Sequence, residues 1–117
     1  MRYSTIVGID THSKKNAVCA IVPETGEMRE AVLSEDPEQL LALIVEQDFP
    51  KPVGCVYESG PTGFGLARSL VAGGVACTVA AASKLSYRVD RPKNDRADAR
   101  WLAQQMLAGG VRAVRVP

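Results

Sequence analysis

Short apolar runs alternate with polar or glycine-containing connections along most of this chain. Five of the runs have the length and aliphatic composition of buried strands. The predicted strands cover residues 3–10, 16–22, 27–33, 53–57 and 75–79. The first three are joined by short polar connections, which predicts antiparallel hairpins between them.

Apolar residues at helical spacing predict three helices after the third strand. Asp36 is a good N-cap for the first of them, and Pro37 suits its first helical position. Gln39 lies three residues after the cap, as in a capping box. This helix ends before Pro50, which cannot continue a helical hydrogen-bond pattern.

The second predicted helix is capped by Thr62 and ends at the glycine pair 73–74. Its inward-facing residues are predicted to be Phe64, Ala67, Leu70 and Val71. The third helix runs from about Asp95 to Ala108 and stops at the glycines 109–110. The last residues, 111–117, alternate between apolar and polar positions and form no polar tail. We therefore expect the natural protein to continue beyond residue 117.

The resulting order of elements is β-β-β-α-β-α-β-α. A helix between two successive strands implies a right-handed crossover and parallel pairing. The first strand then lies centrally, with strands 2 and 3 antiparallel on one side and strands 4 and 5 parallel on the other. This is an α/β fold of the ribonuclease H-like layout, with a mixed five-stranded sheet of order 3-2-1-4-5 flanked by helices.

Acidic residues end two of these strands. Asp10 is the last residue of the first strand, and Glu58 directly follows the fourth. If those strands are adjacent and parallel, both acids lie at the carboxyl edge of the sheet, where α/β proteins bind ligands. Either acid alone is a weak signal, because strand-ending acids also occur in ordinary turns.

Two further acids, Asp95 and Asp98, begin the third helix. Its apolar stripe consists of Ala99, Leu102, Ala103, Met106 and Leu107. Counting back from that stripe by three and four residues places both acids on the face that packs against the sheet. No basic residue lies one turn further along that face, and the two acids repel each other.

Metal binding is one explanation of these four acids. Four carboxylates can hold two hard divalent ions, and two such ions can cleave a phosphodiester. The alternatives are a favourable interaction of Asp95 and Asp98 with the helix dipole, or a water-filled rim. The pattern by itself leaves these alternatives open.

The length of 117 residues suits one compact domain. The net charge of +1 does not by itself indicate a nucleic-acid-binding protein. The basic residues are nevertheless concentrated in one stretch, namely Lys84, Arg88, Arg91, Lys93, Arg96 and Arg100. We expect this stretch, together with Lys14, to contact phosphates, although charge alone fits a solvated surface equally well. Three cysteines without C-x-x-C spacing are expected to be reduced core thiols.

The chain has no signal peptide and no apolar run long enough to span a bilayer, so we expect a cytoplasmic protein with no membrane partner. The spacing of the glycines at 60, 63 and 65 resembles a phosphate-cradling loop but matches no established fingerprint.

Three segments together resemble a known family: 7–12 (VGIDTH), 58–63 (ESGPTG) and 93–99 (KNDRADA). In order and spacing they resemble the N-terminal domain of DEDD-type insertion-sequence transposases, a group that includes the Piv/MooV DNA invertases. That domain is similar to the RuvC Holliday-junction resolvase fold. The resemblance covers nearly the whole chain.

The resemblance implies that Asp10, Glu58, Asp95 and Asp98 are the catalytic and metal-binding tetrad. It implies two magnesium ions, for which manganese can substitute, and DNA strand cleavage and transfer in transposition. It further implies DNA as partner, a structured guide RNA in some members, and a homo-oligomer in the full-length protein. The family's C-terminal domain, which carries a nucleophilic serine, is expected to be absent, so that residues 1–117 form a RuvC-like domain alone.

Two other interpretations stay open at this point. Actin-like sugar kinases and ATPases also begin with a strand ending in Gly-x-Asp, but they need a glycine- and threonine-rich hairpin where this chain has residues 11–15 (THSKK). The chain could instead be a non-catalytic module that binds nucleic acid or mediates oligomerisation.

Overall fold

The computed structural model describes residues 3–11, 14–60, 63–81 and 95–116, with side chains from residue 98 onward in the last range. The strands are β1 (Thr5–Thr11), β2 (Lys15–Val22), β3 (Glu27–Ser34), β4 (Val53–Glu58), β5 (Ala76–Ala80) and β6 (Ala113–Val114). The helices are α1 (Pro37–Glu46), α2 (Gly65–Ala72) and α3 (Asp95–Ala108).

The strands form one mixed sheet of order β3-β2-β1-β4-β5-β6. Strands β1, β2 and β3 pair antiparallel, whereas β1 with β4 and β4 with β5 pair parallel. This confirms the predicted order 3-2-1-4-5 and the ribonuclease H-like class. The prediction of five strands was one short, because the two-residue strand β6 adds antiparallel to β5.

Helices cover both faces of the sheet, and strand alternation gives each face its own core. On one face, Val7 and Ile9 of β1 pack with residues of α1 and α2 such as Leu40 and Leu70. On the other face, Ile6 of β1 packs with the buried side chains of α3. Burial from both sides explains why β1, β2 and β4 appear in the sequence as nearly unbroken apolar runs.

Helix α1 begins at the predicted residue with the predicted Asp36 cap, but the capping box is not formed, because the Asp36 N–H donates to the Ser34 hydroxyl at 3.2 Å rather than to Gln39. The side chain of Asp36 accepts a hydrogen bond from the backbone N–H of Glu38 at 2.9 Å, and Pro37 occupies the first helical position. The side-chain oxygen of Gln39 accepts from the backbone N–H of Ser34 at 2.9 Å, so it joins the helix start to the end of β3.

Helix α2 differs from the prediction in its start and in one facing residue. It begins at Gly65 with Phe64 in the N-cap position and no side-chain cap, while Thr62 lies outside the described residues. Ala67 and Leu70 are buried as predicted, but Val71 is 59% exposed. The helix has only two turns, and the Ala67–Leu70 side is the one that reaches the sheet.

Helix α3 has the predicted bounds, and Ala99, Leu102 and Ala103 of its apolar stripe are buried. Leu107, at the end of the stripe, is 41% exposed. None of the helices in the described part of the chain is long and apolar enough to cross a membrane.

Candidate active site at the carboxyl edge of the sheet

Asp10 and Glu58 leave neighbouring parallel strands at the same level. The β1–β4 ladder runs from Thr5 beside Val53 to Ile9 beside Tyr57, and the next residue of each strand is one of the two acids. Neighbouring strands lie about 4.8 Å apart, so the backbones of Asp10 and Glu58 are close together at the carboxyl edge. The topology thus brings together the two acids that the sequence places at strand ends.

Both acids also belong to the face of the sheet that α3 covers. Side chains alternate along a strand, and Asp10 has the parity of Ile6, which lies in the α3 core. Glu58 has the parity of Val56, which lies in the same core. A ligand held by both carboxylates would therefore lie between the sheet edge and the beginning of α3.

The direction of α3 follows from its contacts with β1. Ala99 and Ala103 lie against Gly8, while Met106 and Leu107 line a cavity together with Tyr3 at the other end of β1. The helix therefore runs antiparallel to β1. Its amino end, which carries Asp95 and Asp98, lies toward the end of β1 that carries Asp10.

Glycine at position 8 permits this close approach. A Cβ on residue 8 would lie 2.1 Å from the carbonyl oxygen of Ala99 and 2.7 Å from the backbone nitrogen of Ala103. Real Cβ atoms do not come so near to backbone atoms, so any other residue would push α3 away from the sheet. Gly8 thereby determines how close the beginning of α3 lies to the strand that carries Asp10.

Asp98 is a buried carboxylate, 9% exposed, directly before the Ala99 contact with β1. Burying a carboxylate costs free energy unless it is paired or hydrogen-bonded. Asp95 is the first residue of α3, and its backbone lies nearly one helical turn before Asp98 on the same side. The side chain of Asp95 lies outside the described part.

The donor chemistry at this edge suits hard divalent cations, which prefer carboxylate oxygens. Among the described residues, however, no group of three or more histidine, cysteine, aspartate or glutamate side chains is close enough to hold a metal ion. The Asp95 side chain is not among those residues. The four-residue metal site therefore remains a prediction, and it requires Asp95 together with the acids of β1, β4 and α3.

The predicted phosphate contacts are only partly covered by the structure. Lys14 is exposed and directly precedes β2, at the carboxyl end of β1. Lys84, Arg88, Arg91, Lys93 and the side chain of Arg96 lie outside the described residues.

Arg100, the last cation of the predicted basic stretch, has a partner within the protein. Its guanidinium donates to the Glu30 carboxylate from Nη2 at 2.8 Å and from Nε at 3.2 Å. These hydrogen bonds raise the pKa of Arg100. The pair ties α3 to β3, so this cation helps to position the helix that carries Asp98, and its predicted phosphate contact stays a prediction.

Tyr57, the residue before Glu58, holds the loop that follows β4. Its buried hydroxyl donates to the carbonyl oxygen of Gly63 at 2.9 Å and accepts from the backbone N–H of Ala67 at 3.3 Å. Burial raises the pKa of this phenol. Ser59 fixes the other end of the loop through a 2.8 Å hydrogen bond from its N–H to the carbonyl of Ala80.

Comparison with known proteins identifies the family. The family model of the IS110-type DEDD domain, whose description is "Transposase", matches residues 7–117. The chain belongs to this transposase family. A curated relative from Sinorhizobium fredii (strain NBRC 101917 / NGR234), with the name "Putative transposase y4qE", is 37% identical over 115 residues. That match covers 95% of this chain but 30% of the relative, so the chain spans less than a third of the transposase it matches.

A solved structure independently supports the fold. The solved structure "T. thermophilus RuvC in complex with Holliday junction substrate" superposes on this chain with a TM-score of 0.58 at 12% sequence identity. The match covers 94% of this chain and 99% of that RuvC chain. The chain is therefore an N-terminal RuvC-like transposase domain. Its family favours the transposase interpretation over the actin-like ATPase lobe.

Proposed function

We propose that this chain is the catalytic domain of a transposase that cleaves and transfers DNA strands, using Asp10, Glu58, Asp95 and Asp98 to hold two magnesium ions. One observation supports the proposal most strongly. Asp10 and Glu58 leave adjacent parallel strands on the α3 face, and the antiparallel α3 brings the buried Asp98 toward the same edge. Family membership supplies the reaction class.

The two pairs of acids have different roles in this proposal. Asp10 and Glu58 are on rigid strands and give the site its fixed side. Asp95 and Asp98 belong to α3, whose amino end adds a favourable positive potential for carboxylates and for anionic substrate groups. When bound, the ions would polarise the scissile phosphate and stabilise the attacking and leaving oxygens.

The wider assembly belongs to the same proposal. DNA is the proposed substrate, and the cytoplasm is the proposed compartment. The relative is about three times as long as this chain. We propose that residues 1–117 form one RuvC-like domain and that strand transfer needs the serine-bearing domain of a longer parent protein. The parent protein is proposed to be a homo-oligomer. A structured guide RNA is a further partner in the same proposal.

Metal binding is the first test, because it does not require the longer parent. Manganese is titrated into the protein in a calorimeter, with and without a short branched DNA. The variants are Asp98→Asn and, as a matched control, Asp48→Asn. Asp48 is an exposed acid with a φ of 52°, a conformation that asparagine also adopts, and it lines a cavity with Pro52 and Val53 at the opposite edge of the sheet.

The wild type and Asp48→Asn are expected to bind two ions, whereas Asp98→Asn loses at least one. Equal binding by all three proteins would contradict the proposed metal site. DNA binding that ignores both the metal and the Asp98 substitution would favour a non-catalytic nucleic-acid-binding module instead.

A further inference from the structure

Strand β6 carries an arginine to the edge of the sheet where the proposed active site lies. β6 is antiparallel to β5, with Val114 beside Val79 and Ala113 beside Ala80. Arg112, which precedes β6, therefore lies beyond the carboxyl end of β5. Glu58 of β4 is also paired with Ala80, so Glu58 and Arg112 belong to the same edge, and strand alternation gives Arg112 the parity of Val114, on the face opposite α3.

The backbone of Arg112 is held on both sides. Its carbonyl oxygen accepts a 2.7 Å hydrogen bond from the N–H of Ala81. Val111 packs against the α3 core, and Val114 packs against the core on the opposite face. Arg112 is thus a cation on a fixed segment of backbone. The sequence pattern of residues 111–117 predicts only alternating apolar and polar positions there.

The side chain of Arg112 is exposed and available for a ligand. Within the described part of the chain, its guanidinium makes no ion pair or hydrogen bond. Arg100 shows the contrast, since its guanidinium is bound to Glu30.

Cations flank the acids along this edge. Neighbouring strands are about 4.8 Å apart, so the Arg112 backbone lies two spacings, about 10 Å, from that of Glu58. Lys14 lies on the other flank, beside β2 and past the carboxyl end of β1. The order along the edge is therefore Lys14, Asp10, Glu58 and Arg112.

We propose that Arg112 binds a backbone phosphate of a DNA strand that crosses the carboxyl edge at right angles to the strands, with Lys14 contacting the same strand on the other side of the acids. This inference rests on the proposed function and adds the path of the substrate. Arginine suits the role, because its planar guanidinium can donate two hydrogen bonds to one phosphate.

Arg115 provides a control with the same residue type on the same segment. It is exposed, and it lies on the same segment between Val114 and Val116, which both pack against the core. Because β6 runs antiparallel to β5, Arg115 lies three residues, about 10 Å, farther from the carboxyl edge than Arg112. Side chains alternate along the segment, so Arg112 has the parity of Val114 and Arg115 has that of Ala113, and the two arginines differ in face as well as in distance from the acids.

The test measures binding of a fluorescent branched DNA by anisotropy at several salt concentrations. Arg112→Gln is expected to weaken binding roughly tenfold at low salt and to reduce the slope of log affinity against log salt by about one. Arg115→Gln is expected to bind like the wild type, and Arg112→Lys to recover part of the affinity. Melting curves check that each variant folds.

Equal losses for Arg112→Gln and Arg115→Gln, or no loss for either, would overturn the assignment of Arg112 while leaving the transposase proposal intact. A wild type that binds no DNA at any salt concentration would overturn the proposed function, and this inference with it.

Discussion

Gly8 of β1 and Ala99 of α3 are in backbone contact, since a Cβ on residue 8 would lie 2.1 Å from the carbonyl oxygen of Ala99. The contact lies two residues before Asp10 on the strand and one residue after Asp98 on the helix. Two acids that are 88 positions apart in the chain are therefore brought toward one edge by a glycine that itself carries no chemistry.

Gly8→Ala is expected to destabilise the protein by about 1–3 kcal/mol, because the obstructing atoms belong to the α3 backbone and cannot rotate away. Urea unfolding would measure the loss. Gly60→Ala is the control, since a Cβ there meets nothing within 4 Å, and its effect should stay within about 0.5 kcal/mol. Equal stability of the two variants would contradict the close packing of α3.

Metal-linked stabilisation should depend on the same packing. A ligand that binds only the folded state raises its melting temperature, so excess manganese is expected to stabilise the wild type. Gly8→Ala, which displaces the helix carrying Asp98, should lose most of that increase, whereas Gly60→Ala should retain it. Thermal melts with manganese and with a chelator make the comparison, and an undiminished increase in Gly8→Ala would disconnect the contact from the site.

Tyr57→Phe removes one hydroxyl from a buried position without changing the packing volume much. It leaves the carbonyl of Gly63 and the N–H of Ala67 without that partner, which is expected to cost about 1–3 kcal/mol. Denaturant unfolding measures this cost. Tyr3→Phe is the matched control, because the Tyr3 hydroxyl makes no hydrogen bond within the described part of the chain. If Tyr3→Phe lost a similar free energy of unfolding, the effect of Tyr57→Phe would not be specific to the loop.

Asp36→Ala removes the N-cap of α1 and is expected to cost about 1 kcal/mol of stability, because the N–H of Glu38 loses its side-chain partner. Glu35→Ala, at the exposed neighbouring position, removes the same charge but no cap. Unfolding curves for the two variants should therefore separate the cap from the charge. Equal losses would assign the effect to the charge.

Stability should fall as the solution becomes alkaline. Burial raises the pKa of Cys19 from 9.0 to about 11 and that of Cys77 to about 12. Above pH 9 the unfolded chain therefore loses protons that the native state still holds, and the free energy of unfolding decreases as the pH rises. The contribution of these thiols is fully present below pH 9.

Urea unfolding between pH 8 and pH 11 tests this dependence. Cys77→Ala lowers stability at pH 8 through lost packing, but its stability should decline less steeply with pH than that of the wild type. Parallel curves for the two proteins would show that the Cys77 thiol does not titrate as its burial requires.

Local pattern was sufficient for much of this fold. The bounds of α3, the Asp36 cap and the acids near the carboxyl ends of β1 and β4 follow from periodicity, capping preference and strand alternation, which act between neighbours in sequence. The first strand runs one residue past Asp10, to Thr11. The parallel pairing of β1 with β4 also follows, because the intervening helix requires a crossover. The common edge of Asp10 and Glu58 was therefore predictable from the sequence.

Tertiary structure decided the remaining features. Helix α2 begins at Gly65 because the Tyr57 hydroxyl on another element binds the N–H of Ala67, and Arg100 faces Glu30 because α3 crosses to β3. Strand β6 has two residues and exists only through its pairing with β5, so Arg112 could not be assigned to the active-site edge from its neighbours. Each of these features depends on a contact between residues far apart in sequence, whose free energy has no counterpart in local pattern.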